Sequence, residues 1–307
     1  MLKKLEQFKQ SDFWYSFSKD KVAFVSGIIV LFLFINAFLA PLIAPHNPYD
    51  LETLDIMNSQ LPPAWNEDEG TMEFLLGTDA QGRDMLSTIL YGMRTSLIIG
   101  FCAVAFQMVL GITLGLIAGY RGGRVDNFLM RIADIQLSFS TMMVAIIVLA
   151  IFQSIFGMEM YSKLAMFILI VVIGIAEWPK FARTVRSSVL AEKEKEYVEA
   201  AKVMGISTKR IMFLHILPNC LSPILVIATV QIAEAIITEA SLSFLGLGMP
   251  VVKPSLGSLI SSGFEYIFSG AWWITAIPGL VLVVLVLAVN LLGDWLRDYF
   301  NPKIYKD

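Results

Sequence analysis

The sequence predicts an all-α polytopic membrane protein of six transmembrane helices, with an external insertion between the first two. Three observations carry this. Of 307 residues, 56% are hydrophobic and only 16% charged, with a mean hydropathy of +0.69, which is too apolar for an ordinary soluble protein. Uncharged runs recur along the chain, most of them long enough for the ~30 Å hydrocarbon core of a bilayer. The basic residues alternate in abundance between those runs. With the N-terminus inside, 19 of the 23 lysines and arginines fall in internal segments, the asymmetry that orients membrane helices.

Residues 1–21 form a polar arm, with Lys3, Lys4, Lys9, Lys19 and Lys21 interleaved with Phe8, Phe13, Trp14, Tyr15 and Phe17. The arm reads as cytoplasmic, an amphipathic helix on the membrane surface. Val22 to Ala40 is 19 residues without a charge, and the first span is placed at 22–44. A cleaved signal peptide competes on the small residues near Ala40, but the polar region ahead is too long and more spans follow.

The insertion, 45–93, is rich in proline and acidic residues, with Asp79 and Asp84 flanking the base Arg83. It is too short and irregular for a catalytic domain. The core, 94–292, holds the other five spans. Thr95 to Gly119 is the second, and Gly111, Gly115 and Gly119 lie along one helix face. That pattern reads as a close helix contact, against glycine merely tolerated in a membrane helix.

Arg121, Arg124 and Arg131 follow in a polar loop, then a third span from Ile135 to Phe156. The fourth is short, 13 uncharged residues from Leu164 to Ala176 before Glu177, Trp178 and Pro179. It spans if Tyr161 to Ala182 is counted, with Glu177 and Lys180 near the headgroups. The fifth runs from Cys220 to Phe244 and carries Glu234 and Glu239; a loop with Gly246, Gly248, Pro250 and Pro254 follows. Trp272 and Trp273 mark an interface ahead of the sixth, Ile274 to Leu292, and residues 293–307 form a cytoplasmic tail.

The most informative stretch is the polar segment 183–217. A charged run from Glu192 to Glu196 is followed by Glu199, Ala200, Ala201 and Gly205, and the segment closes on Leu217 and Pro218. Gly205 suits a left-handed helix terminus, and Ser207 or Thr208 suits the cap of the next helix. Pro218 lacks an amide donor and disfavours helix at Leu217, so the second helix is expected to end or bend there. The plain alternative is a solvated linker.

Little of the chain points to catalysis. No phosphate-binding Gly-x-x-x-x-Gly-Lys loop, zinc-protease motif or dinucleotide fingerprint occurs. His46 and His215 are too remote for a hydrolytic triad, Cys102 and Cys220 form no metal-binding pair, and a net charge of −3 gives no nucleic-acid footprint. An enzyme and a metal site are therefore not expected. Glu234 and Glu239 cost roughly 3 kcal/mol each at a membrane helix centre, so they face water or protein. Each is a candidate for a translocation path, or for a carboxyl tying helices together. Five residues apart, they cannot both point squarely at one pore.

These residues resemble the membrane subunits of binding-protein-dependent ABC importers, in particular the second permease of dipeptide and oligopeptide systems. Three stretches carry the resemblance: Ala40-Pro41-Leu42-Ile43-Ala44-Pro45 with Leu76-Gly77-Thr78-Asp79 to Ser96-Leu97; the Glu199-Ala200-Ala201, Gly205, Leu217-Pro218 segment; and Glu239-Ala240-Ser241-Leu242-Ser243-Phe244-Leu245-Gly246. His215 departs from the general importer pattern and is similar to the peptide-type subgroup.

The resemblance implies a type I ABC importer transmembrane-domain fold in a bacterial cytoplasmic membrane, with both termini cytoplasmic. It implies a second homologous permease, two ATPase subunits that bind ATP and Mg, an external solute-binding protein and a peptide substrate. This chain itself would hold no cofactor. Segment 183–217 would couple to an ATPase through Glu199, Ala200, Ala201, Gly205, Leu217 and Pro218. Asp79, Arg83 and Asp84 would face the binding protein, with local turn-forming bonds as the alternative. An ion-gradient-driven secondary transporter or channel is the rival class; it expects internal repeats, and no convincing repeat is visible.

Overall fold

The computed structural model describes residues 12–50, 54–66 and 70–300. The lysines at 3, 4 and 9, the acidic residues at 52 and 67–69, and the end of the tail lie outside the described residues. Within them the protein is helical, and the one extended pairing is an isolated bridge between Thr78 and Asp84.

A short helix α1 (Asp12–Lys19) precedes α2 (Lys21–Phe38), whose first amides at Val22 and Ala23 are capped by the Asp20 carboxylate. The chain turns at Leu39 into α3 (Ala40–Ile43), with Pro41 in its first turn. After the insertion come α4 (Met85–Arg121), α5 (Gly123–Leu137) and the 52-residue α6 (Thr141–Glu192). Then follow α7 (Glu196–Val203), α8 (Thr208–Phe244), α9 (Leu256–Phe264) and α10 (Trp273–Phe300). The helices α2, α4, α6, α8 and α10 are long and apolar enough to cross a membrane.

Five such helices make six passes, because α6 is two antiparallel arms. Its backbone leaves helical geometry at Gly157 (φ 77°, ψ 167°), a region that only glycine enters without strain. Thr141 Oγ1 bonds Glu177 Oε1, and the Phe152 ring lies 6.5 Å from Tyr161. Residues placed symmetrically about the glycine are therefore neighbours, and the chain reverses there.

Several boundaries differ from the sequence expectation. The second span starts ten residues early: Asp84 is the N-cap of α4, accepting from Ser87 N at 2.8 Å, so Met85 to Gly92 belong to the helix rather than the insertion. The polar stretch after Arg121 is the amphipathic helix α5, which takes Ile135 from the expected third span. The loop after Phe244 contains α9, with a capping box made by Ser255 and Ser258. The expected tail begins inside α10, which stays helical to Phe300 because Trp295 and Tyr299 pack onto the N-terminal arm. In that contact Phe13 and Phe17 meet Trp295 edge-on, with centroids 5.1 and 5.0 Å apart.

The glycine face of α4 lies against the second arm of α6. A methyl at Gly111 would sit 2.3 Å from Phe181 Cβ, one at Gly115 2.6 Å from the Ala182 carbonyl, and one at Gly119 2.8 Å from Val189 Cβ. No side chain fits at those separations, so the backbones approach directly, the arrangement that drives helix association in lipid. At the end of this contact Arg186 grips Asp126 of α5 through two bonds, 2.5 and 2.6 Å, and Arg183 bonds Asp134. Lys193 Nζ reaches the Gly119 carbonyl at 3.3 Å. The guanidinium of Arg186 holds the Asp126 carboxyl below its ordinary pKa, against the opposing effect of burial.

Candidate functional site

The polar segment between the fourth and fifth passes is more ordered than a linker. The second arm of α6 continues helical to Glu192, so residues 183–192 extend a span rather than belonging to a loop. Glu192 then fastens the turn, accepting from Lys195 Nζ at 2.6 Å and from the Tyr197 hydroxyl at 2.8 Å. Burial and the neighbouring Glu192 charge raise the Tyr197 phenol above its ordinary pKa. Asn219 Nδ2 joins Tyr197 to the base of α8, at 3.2 Å from the hydroxyl and 2.8 Å from the His215 carbonyl.

Glu196 and Glu199 lie in the first turn of α7 and Lys202 in the last, each sign placed to complement the helix dipole. Gly205 adopts φ +74°. Its amide donates to the Lys202 carbonyl (3.0 Å) and the Ile206 amide to Ala201 (3.1 Å), the paired bonds of a Schellman terminus. Ser207 occupies the next N-cap position, but its side chain makes no capping bond.

The two faces of α7 differ sharply. Val198 and Ala201 are buried, at 0% and 2% exposure, in the same apolar cluster as Leu116 of α4, Val185 and Val189 of α6, and Ile211 and Ile216 of α8. Glu199 and Ala200 point outward, and beyond them Val203 and Met204 are exposed at 89% and 71%. Of the paired alanines, one anchors the helix and one is presented.

Of the two outcomes expected for the second short helix at Leu217, an end or a bend, the structure excludes the end. Residues Ile211–Ile216 are π-helical, and Leu217 N–H donates to Met212 O five residues back. The wider turn accommodates Pro218, which has no amide to donate, in the first turn after it. Helix therefore continues from Thr208 to Phe244, with Leu217 half-buried and Pro218 exposed.

The two intramembrane glutamates occupy unlike places. Glu239 is fully buried, accepting from Ser96 Oγ of α4 at 3.0 Å and from Ser243 Oγ at 2.7 Å. Ser255 bonds Ser243 at 3.2 Å, and Ser96 Oγ accepts from Leu256 N at 3.2 Å. Glu239 is thus enclosed by a serine cluster joining α4, α8 and α9, and lines no open surface of this chain. Glu234 is half exposed and 2.6 Å from Lys180 Nζ of α6. Lys180, placed with Glu177 near the headgroups by the sequence, bridges Glu177 and Glu234.

In the insertion, Asp79, Arg83 and Asp84 are only 3–4% exposed, so their side chains are not presented outward. Arg83 Nε bonds Asp79 Oδ2 at 2.6 Å, and its Nη1 reaches the Val251 carbonyl at 2.8 Å. Asp79 Oδ1 accepts from the amides of Gln81 and Arg83. Turn-forming bonds consume these groups, and Arg83 ties the insertion to the loop after α8.

The chain is thus a helical membrane protein of six passes, with a short surface helix rooted in the core between the fourth and fifth. The comparisons supply its class. The chain belongs to the family described as binding-protein-dependent transport system inner membrane component, matched over residues 111–306. Residues 10–63 match the N-terminal transmembrane domain of oligopeptide transport permease C.

The dipeptide transport system permease protein DppC of Escherichia coli K12 is 40% identical over 293 residues, covering 95% of this chain and 93% of that protein. The di/tripeptide permease DppC of Pseudomonas aeruginosa is 37% identical over 95% of this chain and 92% of its own length. The oligopeptide permease OppC of Bacillus subtilis is 33% identical over 94% and 88%. The fold is similar to that of a chain in inward-facing crystals of the MetNI methionine ABC transporter, with a TM-score of 0.55 and 20% identity over 71% of this chain and 98% of that one. The chain is therefore a transmembrane permease subunit of the ABC importer class. These matches favour that class over the ion-gradient transporter or channel.

Proposed function

We propose that this chain pairs with a second homologous permease to line a peptide path across a bacterial cytoplasmic membrane, with both termini cytoplasmic. Two separate ATPase subunits, holding ATP and Mg, switch the path between outward and inward access. An external solute-binding protein delivers the peptide. The observation that carries this reading is the two-faced α7, rooted in the core by Val198 and Ala201 and offering Glu199, Ala200, Val203 and Met204 to a partner.

A push on that outer face moves an element continuous with the cores of α4, α6 and α8. Coupling needs only that the nucleotide-bound ATPases favour one access state. Gly205 sets the turn, while Leu217 and Pro218 join the segment rigidly to the fifth pass. The packing of α1 on the end of α10 supports an even number of crossings with both ends on one side. The basic residues gathered around α7 support that side being cytoplasmic. The peptide named in the relatives' descriptions is the substrate class proposed here. The membrane-facing contacts are with lipid.

The test is reconstitution with the partner permease, ATPases and binding protein. ATP-dependent peptide uptake is expected, and Gly205→Pro or Ala200→Trp should abolish it while leaving the chain inserted. Uptake at the unmodified rate with either change rules out the coupling role.

A further inference from the structure

Three charged side chains meet between α6 and α8, two of the helices long and apolar enough to cross a membrane. Lys180 Nζ lies 2.8 Å from Glu177 Oε2 and 2.6 Å from Glu234 Oε2. Glu234 is ten residues inside the end of α8 and Lys180 twelve inside the end of α6, or about 15 and 18 Å along the axes at 1.5 Å per residue. The Glu177 side chain is 11% exposed, Lys180 33% and Glu234 50%. The cluster is thus rooted in the protein and open on one side. Facing lipid there would cost roughly 3 kcal/mol per charge, so that side meets water or a polar partner.

The same side of α8 stays polar towards its far end. Gln231, Glu234, Thr238 and Ser241 recur at intervals of three, four and three, one helical face. The Thr238 and Ser241 hydroxyls each bond a carbonyl of their own helix at 2.8 Å. They keep the face wettable without holding a ligand. Glu234, by contrast, is bound to groups that can be exchanged: Lys180 and the Gln231 amide.

The geometry points to a zwitterion subsite in which Glu234 takes the α-ammonium of a passing peptide and Lys180, still held by Glu177, takes its α-carboxylate. Before the peptide arrives the Lys180 ammonium is shared between Glu177 and Glu234. The peptide's termini replace one ion pair by two, so no bare charge is stranded at low dielectric, where losing a partner is most costly. Glu177, largely buried, keeps the Lys180 ammonium in place during the exchange. A path recognising only the two termini discriminates little among side chains.

This inference rests on the proposed permease function, and the experiment separates the two. The complete transporter is reconstituted in vesicles with loaded binding protein, and dipeptide uptake and ATP hydrolysis are read together. Lys180→Met and Glu234→Gln should each lower uptake tenfold or more per ATP hydrolysed. The triple variant Lys180→Met, Glu234→Gln, Glu177→Gln, which leaves none of the three charges behind, should remain equally slow. Uptake by the triple variant at the unmodified rate overturns the subsite, and uptake that needs no ATP overturns the permease reading instead.

Where charge variants fail to assemble, Thr238→Cys decides, with Cys102 and Cys220 replaced by serine. A membrane-impermeant thiol reagent should label it in the assembled transporter, more slowly during dipeptide transport. No labelling in any nucleotide state overturns the proposal.

Discussion

Ser96 Oγ donates to Glu239 Oε2 at 3.0 Å, joining α4 to α8 through a carboxyl with no solvent exposure. The same hydroxyl accepts from Leu256 N, so a single serine connects two long helices to α9. Replacing Glu239 by leucine leaves Ser96 and Ser243 without their acceptor, at about 1–3 kcal/mol for each unsatisfied group. Glutamine retains one carbonyl oxygen and should cost less. Thermal unfolding of the purified protein in detergent should rank the three as Glu, Gln, Leu. A leucine variant as stable as the parent would show that the cluster contributes nothing.

The glycine face of α4 predicts a second ranking. At Gly115 a side chain would press on the Ala182 carbonyl and on Val185 Cβ, 2.8 Å away. Gly115→Val should cost at least the roughly 1–3 kcal/mol typical of overpacking, read as a lower unfolding midpoint or loss of monodisperse protein. A methyl at Gly279 of α10 would meet no atom within 4 Å, and Gly279→Ala should cost nothing by the same assay.

The Asp126–Arg186 pair predicts an acid-side effect. Its carboxyl has a lowered pKa in the folded chain, chiefly from the bonds to Arg186. The stabilisation is fully present above the unfolded value of about 3.9 and is lost as pH falls through the lower folded value. Between about pH 5 and 8 the pair should contribute constantly. Asp126→Asn should lower the unfolding midpoint at about pH 7 and lose that deficit as pH falls below about 4. An equal deficit at every pH would place the cost elsewhere.

At the tip of α7, Val203 and Met204 are exposed while Gly205 is conformationally committed at φ +74°. Val203→Asp with Met204→Asp should leave thermal stability within about 0.5 kcal/mol, as for other surface changes. It should also remove the ATPases from a co-purified complex. Gly205→Ala should instead cost about 1 kcal/mol in stability, the penalty of a left-handed alanine. Unchanged ATPase recovery with both aspartates would mean that the exposed tip is not the docking surface.

Much of the architecture was legible because lipid imposes simple demands. Length without charge marks a span. The small residues at 111, 115 and 119 share a face by helix geometry alone. The loops were less legible. Asp84, Ser255 and Ser258 are capping signals visible in sequence, and Ser255-x-x-Ser258 ahead of an apolar run marks α9. Their partners are local, so a stricter search for caps finds them. The partners of Arg83 are not all local: its Nη1 meets a carbonyl 168 residues away, which no periodicity announces.

The sequence by itself determined the membrane class, the six passes, the polar segment carrying Gly205 and the family resemblance, because these depend on composition, spacing and local backbone chemistry. Tertiary structure alone decided which side of each residue matters. It turned Ala201 inward and Ala200 outward, enclosed Glu239 among serines, and left Glu234 open beside Lys180. The physical reason is that a membrane charge is governed by its neighbours. Those neighbours lie on helices whose rotation and contact are set by packing across the whole chain.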